Sequence, residues 1–464
     1  MRHSNINGNR HIYSFDLLSN IVLASTQLLK TELNFKKIFV FWFPLSLSWL
    51  MMAVEGPYVA AIIARLADAK YNLAAHGVAF SFALIFEAPI ISITAATTAL
   101  CKDKYSYRKL QRFVTALNLA ITGFMLFMLI PPVFSFMMLD LIGLPQNVTD
   151  LIHVALMLLL PWPAAIGFRR FYQGVLITRG LTRRITYGTI VRLSTMGTTA
   201  LILFQFDLNG AYTGAAALSM GVLAELIAVA MMAHSSINLL KNQDPANVEK
   251  SKELSYSYIF RFYYPLAAMT ILSLGVHPMV TFFMGKSRFP IESLAVLPVL
   301  NSLVFIFRAI GLSYQEAVIA LIKDSRRNLD KLFQFALLVG MCLVVILSLI
   351  AYTPLSTIWF HHISGLTLHL SEFAKLPLKI LALMPGLSII ITFQWGVLVN
   401  SGKTKYISIA TLIEVVVIVL GLFILTGFLN VIGVTAAAIV FVVGRSFGNV
   451  YLLPKTRKQV AKLI

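Results

Sequence analysis

Apolar residues gather along this chain into about twelve long runs separated by short polar or charged segments. One α-helix needs about 20 mostly apolar residues to cross a bilayer. Runs of that kind fall at 37–64, 72–98, 110–138, 149–178, 184–206 and 210–237, and again at 258–284, 291–321, 331–353, 376–399, 405–427 and 431–450. The pattern predicts an all-α polytopic membrane protein with twelve transmembrane helices. The longest polar stretch between runs, 238–257, contains Lys241-Asn242-Gln243-Asp244-Pro245 and reads as a cytoplasmic linker between two groups of six. Ahead of the first run, Ile12, Phe15, Leu18, Val22 and Leu29 recur at roughly helical spacing among polar residues, as in an interfacial amphipathic helix. No compact apolar core followed by a small-residue cleavage site marks residues 1–36 as a signal peptide. The expected organisation is an N-terminal segment 1–36, an N-lobe 37–237, the linker 238–257, a C-lobe 258–450 and a basic tail 451–464.

The two groups of six repeat one another. Phe41-Trp42-Phe43-Pro44-Leu45 returns 221 residues later as Phe262-Tyr263-Tyr264-Pro265-Leu266, Pro57 returns as Pro278, and Ile85-Phe86-Glu87-Ala88 returns as Ile306-Phe307-Arg308-Ala309. At an offset of 222, Pro163, Gly174-Val175-Leu176 and Gly180 match Pro385, Gly396-Val397-Leu398 and Gly402. Because six is even, both halves enter the membrane in the same direction. Parallel repeats of this kind place a substrate cavity between the halves near mid-depth.

Composition excludes a soluble globular protein: of 464 residues, 58% are hydrophobic and only 12% charged. The net charge of +19 changes the picture only through its placement. Basic residues concentrate in alternate loops and the ends: Lys30, Lys36 and Lys37, the 101–112, 169–184, 323–331 and 400–405 loops, the linker, and Lys455, Arg457, Lys458 and Lys462. The 139–150 loop has Asp140 and Asp150 without Lys or Arg. That asymmetry predicts cytoplasmic termini and a multi-pass protein of the cell's inner or plasma membrane, with lipids rather than nucleic acid as its surroundings. Cys101 and Cys342 lie far apart and outside any C-x-x-C pair, so no disulfide framework is expected.

An ionisable side chain at mid-span costs about 2.5–3.5 kcal/mol on insertion scales and normally faces the bundle interior or a wet cavity. Glu87 and Arg308 occupy equivalent positions midway along the second span of each half with opposite charges, which suggests a pair that joins the halves in one state and parts in another; a permanent structural pair, or each residue satisfied within its own half, is the alternative. Glu55 sits beside Gly56-Pro57, where proline bends the helix, and suits proton or cation binding; local pairing with Arg65 or His76 is the alternative. Arg192 is the deeper arginine and a cavity candidate. Arg169 and Arg170 follow Pro161-Trp162-Pro163 and could draw an anion into a vestibule, or anchor the span at its cytoplasmic end. Asn301 and Gln394 are uncharged hydrogen-bonding candidates for the cavity wall. Glu225, Glu414 and Arg445 read as structural pairing. His361, His362 and His369 share a loop without supporting carboxylates, so no metal site is expected. Neither a phosphate-binding G-x-x-x-x-G-K-[ST] loop nor an H-E-x-x-H or G-x-S-x-G motif is present, which argues against nucleotide hydrolysis as the energy source and against an enzyme.

Twelve spans in two parallel sixes with a middle linker resemble the multidrug/oligosaccharidyl-lipid/polysaccharide (MOP) flippase superfamily, which includes the MATE exporters. Phe43-Pro44-Leu45, His76-Gly77-Val78-Ala79-Phe80-Ser81 through Glu87-Ala88-Pro89, and Phe262-Tyr263-Tyr264-Pro265-Leu266 are similar to the progressive ankylosis branch of that superfamily. The resemblance implies V-shaped lobes, alternating access and, for that branch, export of small anions such as pyrophosphate, citrate or nucleotides. The expected function is therefore a monomeric secondary transporter exporting a small anionic or amphipathic solute. It would use no cofactor beyond a coupling proton or sodium ion. A proton- or sodium-coupled multidrug exporter, a lipid-linked oligosaccharide flippase and a non-transporting scaffold are the alternatives.

Overall fold

The computed structural model describes residues 33–179, 181–241, 254–322 and 326–461. The amphipathic segment expected before residue 33 and most of the linker lie outside them. Among the described residues, eleven helices are long and apolar enough to cross a membrane. In chain order, with one less apolar helix added as α5, they are α1 (Phe35–Ile63), α2 (Ala69–Leu100), α3 (Lys104–Met128), α4 (Gln146–Thr178), α5 (Thr182–Gln205), α6 (Gly210–Leu240), α7 (Tyr256–Gly285), α8 (Pro290–Leu321), α9 (Asn328–Tyr352), α10 (Leu368–Asn400), α11 (Lys405–Phe428) and α12 (Gly433–Val460). Helix α5 falls short in apolarity because it carries Arg183, Arg184 and Arg192. The third span stops earlier than its apolar run suggests, since Pro131 and Pro132 open a separate short helix.

Proline explains why several spans are broken. A proline supplies no N–H to the carbonyl four residues back. Pro57 thus frees the carbonyl of Ala53, and α1 breaks at Val54; Pro278 frees that of Leu274, and α7 breaks at Gly275. Helix α4 breaks at Leu159–Leu160 before Pro161, and α10 at Ala382–Leu383 before Pro385. Helices α2 and α8 break at Ser92 and Ser313. These breaks stand 221 to 223 residues apart in pairs, and the left-handed backbone positions keep the same register: Asp68 with Phe289, Gly143 with Gly365, Asp207 with Asn430.

Both described chain ends lie on one face of the bundle, where Val460 packs against the cluster holding Ile38 and Trp42. There α1 leaves its own half. Trp42 donates its indole N–H to Ser313 Oγ at 2.8 Å and meets the Tyr314 and Phe335 rings edge-on. Helix α7 crosses in the opposite sense: buried Tyr263 packs on Phe113 and donates its hydroxyl to the Pro89 carbonyl.

On the opposite face the halves are tied together. Lys70 Nζ sits 2.6 Å from Glu292 Oε1, a tie between the first turns of the second helix of each half. Arg65 donates to the carbonyls of His362 (2.9 Å) and Ile363 (2.7 Å). Slightly deeper, Thr281 and Ser81 share a hydroxyl bond of 3.1 Å. A Cβ on Gly77 would lie 2.6 Å from Pro298 Cγ, so only glycine permits this approach of α2 to α8. Gly77→Leu is therefore expected to destabilise this closed arrangement by about 1–3 kcal/mol, the usual cost of overpacking. A lowered thermal midpoint of the purified variant would register it, and an unchanged midpoint would refute the contact.

Candidate functional site

The buried charges of the N-terminal half meet in one network near mid-span. Arg192 of α5 reaches two carboxylates: its Nη2 bonds Glu55 on α1, at 2.6 Å to Oε1, and its Nη1 lies 4.0 Å from Glu225 Oε2 on α6. Glu225, 1% exposed, also accepts from Arg169 Nη1 and, at 3.4 Å, from Gln173 Nε2. Arg169 and Gln173 are four residues apart on α4, so they share a helix face and hold both oxygens of one carboxylate. Gly221 lets the α5 backbone come close to α6; a Cβ there would stand 3.0 Å from the Arg192 carbonyl.

Two members of this group lack an ionic partner among the described residues. Glu87 on α2, 8% exposed, accepts only the Trp162 indole N–H, at 3.1 Å. Arg170 lies among Arg169, Arg192, Glu87 and Glu225, but its side chain makes no described hydrogen bond and its Nε is buried. Three glutamates and three arginines leave the network electrically balanced.

The C-terminal half carries a smaller counterpart. Arg445 on α12 pairs with Glu414 on α11 at 2.9 Å. Arg308 on α8 lies close to both and to His277, yet its only described side-chain bond is the 3.3 Å contact of Nε with Ser388 Oγ. One carboxylate faces two arginines, so this cluster bears one uncompensated positive charge. Gln394 and Asn449 stand nearby on α10 and α12. Gln394 Nε2 donates to the Asn449 carbonyl at 3.3 Å, while Gln394 Oε1 and Asn449 Oδ1 are buried without partners.

Polarity reverses between the halves at two twin positions. Glu87 corresponds to Arg308 at an offset of 221, and Arg192 to Glu414 at 222.

Several expectations from the sequence change here. Glu87 and Arg308 are not brought together; each is bonded within its own half, to Trp162 and to Ser388. Glu55 pairs with Arg192 across 137 residues instead of with Arg65 or His76, because Arg65 is engaged by carbonyls on the far face. Arg169 is buried in its ion pair and does not line a vestibule. Asn301 is partly exposed and has no described contact with either cluster. Trp162 as the partner of Glu87 was not foreseen, although an indole within a Pro-Trp-Pro segment at mid-span is a polar group in need of an acceptor.

Residues 44–200 match the MatE family model. The solved structures extend the likeness over 90–95% of the chain. One is a multidrug resistance MATE family transporter of the MOP superfamily in its inward-facing conformation: 15% identity, 90% of this chain and 95% of that one covered, TM-score 0.71. The chain has the MATE transporter fold. The lipid II flippase MurJ in an inward closed conformation superposes with a TM-score of 0.70 at 13% identity, over 91% of this chain and 90% of that one. An outward-facing MATE transporter covers 95% and 98% of the two chains at 14% identity, with a lower TM-score of 0.60. No curated protein sequence matches the chain.

Proposed function

We propose that this chain is a secondary active transporter that exports a small anionic solute by alternating access between its two six-helix halves. The observation that carries the reading is Arg308: a guanidinium at mid-span, without a carboxylate partner among the described residues, in a cluster that is one negative charge short. Arginine's planar fork matches carboxylate and phosphate oxygens, and an anion arriving there meets a charge left unpaired within its own lobe. The MATE fold and the twin breaks in α1 and α7 support alternating access, since broken helices in repeated transporter halves typically form the site about which the halves rock. The resemblance to the ankylosis branch points to the same class of solute.

The chain ends lie on the cytoplasmic side in this reading, as the basic loops require, so the Lys70–Glu292 tie closes the outer face. Glu87, an acid with no cation partner among the described residues, is the proposed site for a coupling proton or sodium ion. The same residue favours a second reading, a proton- or sodium-coupled exporter of cationic compounds. Thermal shift of the purified chain separates the two. Citrate, pyrophosphate and nucleotides are expected to raise the midpoint, with about 2.7 kcal/mol of stabilisation at a concentration one hundred times Kd. Stabilisation by cationic drugs and by none of these anions would overturn the anion reading.

A further inference from the structure

The lipid-facing side of the C-terminal half carries a groove of about 370 Å³ between α9, α10 and α12, with Ser348, Tyr352, Lys379, Leu376, Leu383 and Val442 among its walls. A second groove of about 270 Å³ continues from it along α9 and shares Ser348 and Tyr352. Leu376 and Leu383, 56% and 53% exposed, show that this wall faces outward from the bundle.

Three polar side chains converge there. Ser348 and Tyr352 are four residues apart on α9 and share a face, while Lys379 enters from α10 with its Nζ 5.4 Å from the centre of the Tyr352 ring. None of the three has a hydrogen-bond or ionic partner among the described residues. The twin of Lys379 at an offset of 222 is Met157, also on the outside of its half. The lysine is thus a departure from the repeat, set within an apolar surface where an ammonium is costly unless it finds an anion or reaches the interface. Tyr352 ends α9, so Ser348, Tyr352 and Lys379 gather toward that end of the groove, while Leu383 lies deeper, at the break in α10.

We infer that this groove binds a phospholipid with an anionic headgroup. Its phosphodiester is held by Lys379, Ser348 and Tyr352, and an acyl chain lies along Leu376, Leu383 and the α9 groove. Charge complementarity selects the occupant. The groove offers one cation and no carboxylate, so a headgroup with its own ammonium gains less than one with net negative charge. The inference is independent of whether the chain transports anything.

Native mass spectrometry of the full-length protein tests it, with phosphatidylglycerol, phosphatidylcholine and soluble glycerol phosphate as probes. Phosphatidylglycerol should bind in preference to phosphatidylcholine, and Lys379→Met should weaken it about fivefold, the effect of one basic residue near an anionic surface. Leu383→Trp, which fills the groove and leaves the lysine in place, should weaken both lipids. Equal binding of the two lipids, an unchanged preference in Lys379→Met, or displacement of the lipid by glycerol phosphate alone would each overturn the proposal.

Discussion

Glu225→Ala should destabilise the protein by about 3–5 kcal/mol, the usual cost of removing one partner from a buried ion pair. Glu225 accepts from both Arg169 and Gln173 and lies 4.0 Å from Arg192, so its loss strands Arg169 in the interior and leaves Arg192 with Glu55 alone. The penalty comes less from lost attraction than from the buried Arg169 guanidinium left without its carboxylate, because Glu55 is already engaged by Arg192. Glu225→Gln keeps the shape and one acceptor oxygen and should cost less. A thermal unfolding series in detergent ranks the three proteins as wild type, Gln, Ala. Equal midpoints would show that the network does not hold α4, α5 and α6 together.

The second large effect concerns function. Arg308→Gln should lower transport of a small anion by roughly 10- to 100-fold in kcat/KM, which corresponds to the 1.5–3 kcal/mol of a hydrogen bond to a charged group. Among the described residues Arg308 makes a single weak bond, to Ser388, and no ion pair, so its removal breaks little of the fold. The thermal midpoint should therefore stay close to that of the wild type while transport falls, which separates this residue from Glu225. Arg308→Lys keeps the charge without the fork and should fall between the two. Undiminished transport of anions by Arg308→Gln would remove the residue from the substrate path.

Much of the architecture was legible in the chain. Length and apolarity marked the spans, and Pro57 and Pro278 marked the bends in α1 and α7, because a missing N–H acts locally and leaves a trace in sequence. The partners of the charged residues left no such trace. Lipid-facing and interior faces of a membrane helix are both apolar, so the direction in which a span points its one charge cannot be read from its neighbours. That is why Glu55 suggested a local partner and found Arg192 on α5, and why Glu87 and Arg308, equivalent by offset, turned to their own halves. The reversal of Arg192 into Glu414 was within reach, since it follows from the same offset that aligns Pro163 with Pro385.

Alternating access requires the face opposite the chain ends to open during each cycle, and the Lys70–Glu292 tie is where that opening is most directly measured. Lys70→Cys and Glu292→Cys, introduced together after Cys101→Ala and Cys342→Ala, can be joined by a short reducible cross-linker in proteoliposomes. Flux of labelled citrate or pyrophosphate should stop when the link forms and return when it is reduced. Flux that continues unchanged through the cross-linked protein would contradict the account.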